Sequence, residues 1–74
     1  MVDATSHSCV EMIGYAAGQV WRKLHDEGPT SVAKLSKAFD DLPRDTVMQA
    51  IGWLAREDKI HIEETKRGRL VSLR

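Results

Sequence analysis

Apolar residues recur at helical spacing through most of the chain and alternate in its last quarter. Val10, Ile13, Ala17, Val20, Trp21 and Leu24 fall on one face of a helix, with Glu11, Arg22 and Asp26 elsewhere. Val32, Leu35, Ala38 and Phe39 form the inward side of a short second helix. Val47, Ala50, Ile51 and Leu54 make the buried stripe of a third. After Asp58 the period drops to two. Ile60 and Ile62 alternate with Lys59, His61 and Glu63, and Val71 and Leu73 return on one face. The change of period is abrupt, inside Gly52-Trp53-Leu54-Ala55-Arg56-Glu57-Asp58-Lys59-Ile60, and no linker separates the two patterns.

Punctuation residues place the boundaries. Residues 1–7 lack periodicity and are expected to be a flexible tail, leaving 8–74 as one domain. Ser8-Cys9-Val10-Glu11 has the spacing of a capping box, which predicts that helix 1 starts there. Gly28-Pro29 ends it, because Gly accepts a left-handed residue and Pro cannot continue the ladder. Thr30 is expected to be extended, and Ser31 to cap helix 2. Asp40-Asp41-Leu42 is read as a turn, with Pro43 in the first position of helix 3 and Asp45 in its first turn. Thr65-Lys66-Arg67-Gly68 is the turn of a two-stranded hairpin. An isolated hairpin is barely stable, so its apolar face must lie on the helices. A helix that runs straight into such a hairpin is the construction of a winged helix-turn-helix, an α+β fold of three helices and a C-terminal wing.

Two segments carry a further resemblance. Ile13-Gly14-Tyr15-Ala16-Ala17-Gly18-Gln19-Val20-Trp21 and Gly52-Trp53-Leu54-Ala55-Arg56-Glu57-Asp58-Lys59-Ile60 together resemble the small, stand-alone winged helix-turn-helix proteins of bacteria and archaea whose function is uncharacterised. The resemblance covers roughly residues 9–73. It implies the winged-helix fold and carries over no catalytic residue. DNA binding, common in winged-helix proteins, follows only as analogy from fold.

Composition narrows the choice of function. Net charge is zero, but residues 1–58 hold six basic and nine acidic side chains (−3), and residues 59–74 hold five basic and two acidic (+3). That asymmetry points the C-terminal part toward an anionic partner. The apolar runs are far shorter than the ~20 residues of a membrane span. Cys9 is the single cysteine and has no internal partner, and no secretory signal is visible, so a cytoplasmic setting is expected. No catalytic set is found. His7, His25 and His61 lie on three different elements, and no His-x-x-x-His or Cys-x-x-Cys spacing occurs, so neither metal nor cofactor is expected. A pocket of ligand size, ~300 Å³ or more, would consume much of so small a core, and no small-molecule ligand is evident.

The chain therefore reads as a non-enzymatic binding module, with two candidate surfaces. The first is a contact face for double-stranded DNA. Lys66, Arg67 and Arg69 at the wing tip meet phosphates there, and Lys34 and Lys37 add contacts from helix 2. Gln49 and Arg56 face the groove from helix 3, with Arg44 on its flank and Gly52 allowing close backbone approach. Lysine and arginine at a hairpin tip also serve simply to keep an edge soluble, and Glu63 and Glu64 nearby favour that plainer role. The second surface is a partner interface, most simply of a homodimer without nucleic acid. Trp21 and Trp53 stand at the margins of their helix stripes, and Gly14 and Gly18 share one edge of helix 1. The competing role for these four residues is packing within the chain.

Overall fold

The computed structural model describes the backbone of residues 4–74 and the side chains from Cys9 onward. Six elements follow in order: α1 (Ala4–Glu27), β1 (Thr30–Ser31), α2 (Val32–Ser36), α3 (Arg44–Arg56), β2 (Ile60–Thr65) and β3 (Gly68–Leu73). The helices bury one shared centre, and the sheet lies over it. Ala16, Val20, Leu35, Val47, Ala50 and Val71 are fully buried there.

α1 is longer than its periodicity suggested. It starts at Ala4, so Ser8 stands one turn inside the helix and not at its boundary. No Gly or Pro lies between Ala4 and Ile13, and nothing in that segment interrupts the ladder. Residues 1–3 of the expected tail, and the side-chain geometry of the proposed Ser8 cap, lie outside what is described. At 24 residues the helix is about 36 Å long. The molecule measures 45 × 25 × 22 Å, so the N-terminal turns extend beyond the packed body. This is why Val10, which has core spacing, is 59% exposed, whereas Ala16, unremarked in the pattern, is buried. Two more differences have the same kind of cause. α2 stops at Ser36, leaving Ala38 and Phe39 half-buried in the following turn. Leu42, read as part of a turn, closes the core beneath it.

Helix ends follow local chemistry. Gly28 takes φ +80 and donates its N–H to the Leu24 carbonyl at 2.8 Å, a single-bond left-handed cap. The Ser31 Oγ accepts from the Lys34 N–H at 3.1 Å, the expected cap of α2. Pro43 sits one position earlier than expected, as the extended residue before Arg44, and its carbonyl accepts the first helical bond, from Val47 N–H. α3 ends in a Schellman motif. Lys59 N–H reaches the Leu54 carbonyl, Asp58 N–H reaches Ala55, and Asp58 takes the left-handed conformation (φ 63) usually given to Gly. That turn replaces a linker and delivers the chain directly into β2.

The sheet has three strands, in the order β1-β3-β2, all antiparallel. Thr30 and Ser31, expected only to be extended, pair with Val71 and Leu70 of β3. The wing is therefore a hairpin anchored by a third strand on its inner edge. Within it, Ile60 faces Leu73 and Ile62 faces Val71, which sets the apolar side toward the helices.

Candidate nucleic-acid and partner surfaces

The two exposed flanks of α3 carry different chemistry. At about 100° per residue, Arg44 and Trp53 are half a turn apart and point to opposite sides. Val47, Ala50, Ile51 and Leu54 are buried between them, as their spacing predicts.

On the Arg44 side, α2, α3 and the wing enclose a cleft of ≈ 280 Å³. Arg44 and Met48 enter it from α3, Ala33 and Ser36 from α2, and Gly68 and Arg69 from β3. The small side chains of Ala33 and Ser36 open the space. Ser36 turns its hydroxyl back onto the Ala33 carbonyl at 2.8 Å and adds no free donor to the cleft. The wing tip is a two-residue turn, Lys66-Arg67, between the paired Thr65 and Gly68. The Thr65 hydroxyl holds it, donating to the Gly68 carbonyl at 2.9 Å and accepting from the Arg67 N–H at 3.3 Å. Gly68 has φ 134, which a side chain would strain. The turn displays Lys66, Arg67 and Arg69 to solvent. Glu64 is the cross-strand partner of Arg69, so part of its charge is offset, while Lys66 and Arg67 have no acid paired across the turn.

The other DNA-contact candidates do not converge on this cleft: at about 100° per residue Gln49 and Arg56 project about 140° and 120° from Arg44, nearer to Trp53. Lys34 and Lys37 are exposed on and just after α2. Gln49, Gly52 and Arg56 are exposed along α3, as is Asp45, whose carboxylate accepts the Thr46 N–H at 2.9 Å in the first turn. Arg74, counted in the basic C-terminal segment, is remote from the wing tip and ion-pairs with Asp58.

On the Trp53 side, α1 and α3 border an open groove of ≈ 670 Å³. Gly14, Ala17 and Gly18 form its floor on α1, Leu54 lies on α3, Trp21 and Trp53 stand as walls, and the Asp58–Arg74 pair closes one end. The four residues singled out as partner candidates thus line a single feature. Trp21 remains 41% exposed and Trp53 49% exposed, so neither completes the core. Trp21 stacks on His25, ring centroids 5.2 Å apart and 14° from parallel. A Cβ added at Gly14 or Gly18 meets nothing within 4 Å, so among the described residues no element uses the room these glycines leave. A space of ligand size, unexpected for so small a core, exists because it lies outside the core, between two helix flanks. Among the described residues no group of three His, Cys, Asp or Glu side chains is placed to hold a metal ion, and no helix is long and apolar enough to cross a membrane.

Comparison with known families agrees with this architecture. The family described as "Winged helix-turn-helix domain (DUF2582)" matches residues 8–73, nearly the whole chain. The chain belongs to that family, and its fold is the winged helix-turn-helix. Domains of this fold are generally DNA-binding regulators without enzymatic activity. Neither a curated protein nor a solved structure matches the chain.

Proposed function

We propose that the protein is a non-enzymatic, cytoplasmic regulatory module that contacts duplex DNA through the wing and the exposed face of α3 that runs from Arg44 to Gln49. What supports the reading is the convergence of Arg44, at the N-terminal end of α3, with Arg69, beside the wing tip, across one cleft. In a winged helix-turn-helix these two elements straddle the phosphate backbone when α3 enters the major groove. Lys66, Arg67 and Arg69 bind phosphates, with Lys34 and Lys37 at the periphery. Gln49 and Arg56 face base edges, and Gly52 lets the α3 backbone come close. Asp45 on the same strip opposes phosphate and restricts how deeply the helix sits. Zero net charge makes the affinity modest and strongly dependent on salt.

Fluorescence anisotropy with mixed-sequence duplex tests this. Binding in the range of about 1–100 μM near physiological salt, tightening as salt is lowered, is the expected result. A flat titration to 100 μM at low salt removes the proposal.

A second reading, self-association, is favoured by a separate observation: two half-exposed tryptophans flank helix glycines that nothing among the described residues covers. Tryptophan in a solvated groove is a common anchor of protein interfaces. The two readings are compatible, since Arg44 and the wing lie across α3 from Trp53, while Gln49 and Arg56 occupy the exposed strip between them.

A further inference from the structure

We infer that the groove between α1 and α3 seats α1 of a second copy of this chain, running antiparallel to the first. The inference rests on the self-association reading and specifies its surface and direction. It begins from the glycines. Gly is the poorest helix former after Pro, yet α1 contains two, one turn apart, with open space above both. A neighbouring helix that approaches closely is the simplest use of that space.

The face around them is self-complementary. On a helical projection Val10, Trp21, Gly14 and Gly18 occupy one sector about 80° wide, beside the buried stripe. Val10 and Trp21 lie at nearly equal distances on either side of Ala16, and so do Gly14 and Gly18. A two-fold axis at the level of Ala16 therefore sets Val10 of each copy on Trp21 of the other and Gly14 opposite Gly18. That is the isologous contact of a symmetric dimer. The part of α1 that extends past its own body, with Val10 59% exposed, gains an apolar surface to lie on. Charge agrees. Glu11 and Arg22 share the same edge of the sector, so the antiparallel arrangement brings an acid opposite a base at both ends, whereas a parallel one sets equivalent residues on opposite sides of the seam and forms neither pair. Trp53, from α3, borders the same groove and caps the contact.

Size sets the strength. Two half-exposed indoles and about 17 Å of helix side supply on the order of 500 Å² per copy. That is short of the ~800 Å² per partner of a standard interface, so the dimer is a reversible one. Because Trp53 and Arg44 lie on opposite flanks of α3, pairing leaves the wing and the cleft open in both copies.

Sedimentation equilibrium of the intact chain from about 10 μM to 1 mM is the test, on wild type, Gly14→Leu, Gly18→Leu and Gly18→Ala. The open space at both positions, together with the higher helix propensity of Leu and Ala, keeps the variants folded, which circular dichroism verifies. Wild type is expected to dimerise, with a blue shift of Trp emission as concentration rises. Either leucine should weaken dimerisation about ten- to a hundredfold, and Gly18→Ala should weaken it less. A wild-type monomer at 1 mM overturns both self-association and the groove. A dimer that neither leucine variant weakens leaves self-association standing and overturns the groove as its site.

Discussion

Replacing Lys66, Arg67 and Arg69 together by glutamine is expected to lower affinity for duplex DNA by about a hundredfold or more at 50 mM salt. Each phosphate contact contributes roughly 0.9 to the slope of log K against log salt, so three contacts carry about 2.7 of it, and the variant's line should flatten by that amount. The substitutions touch no buried residue, since all three side chains are exposed, and thermal stability should change little. Removing Arg69 also leaves Glu64 without its cross-strand base, which adds repulsion toward phosphate. Anisotropy titrations at four or five salt concentrations measure both quantities. An unchanged slope would mean that the wing is a solubilising edge and that the affinity originates elsewhere.

Leu35→Ala is expected to have the largest effect on stability. Leu35 is fully buried and is the largest side chain that the five-residue α2 places in the core. Truncating such a leucine typically costs ~2–5 kcal/mol. A domain of this size has only about 4–11 kcal/mol in total, so the melting temperature should fall by at least about 10 °C. Val10→Ala is the informative companion. Both residues have the spacing of core positions, but Val10 is 59% exposed, so at concentrations where the chain is monomeric its truncation should lie within about 0.5 kcal/mol of wild type. Thermal melts of the two variants in dilute solution make the comparison. Equal losses would indicate that the N-terminal turns of α1 fold back onto the body.

The contrast between these residues marks what periodicity conveys. Spacing identifies which side of a helix is apolar, and on α3 it predicted all four buried residues. It does not say how far along a helix the neighbours extend. α1 outruns its partners at its N-terminal end, and for that reason Val10 is exposed, while Trp21 is half covered because it stands at the margin of the stripe. The change of period at Asp58 located the join between α3 and the wing, but the Schellman turn that makes the join uses Asp where Gly would be the usual signal. The third strand left almost no trace, because two residues are too short to show alternation. Only the placement of Thr30 after Gly28-Pro29 marked it as extended. For the site, sequence named the basic residues and the Trp–Gly set. It could not show that Arg44 and Arg69 approach one cleft while Trp21 and Trp53 face another groove, since both facts depend on how the wing and α1 dock around α3. Among the described residues nothing stands within 4 Å of a Cβ built at Gly14 or Gly18, a room that spacing along the helix could not reveal.

The central claim is that α3 separates two surfaces of different purpose, a basic one for DNA and an apolar one for a second copy. A two-dimensional ¹H–¹⁵N NMR titration of the labelled chain with a short duplex at low salt tests it most directly. Shifts are expected at Arg44, Met48 and Gln49, and along Thr65–Leu70, while Gly14, Gly18 and the indole N–H signal of Trp21 stay in place. Shifts concentrated on those glycine and tryptophan signals, or none anywhere at about 100 μM, would contradict the account.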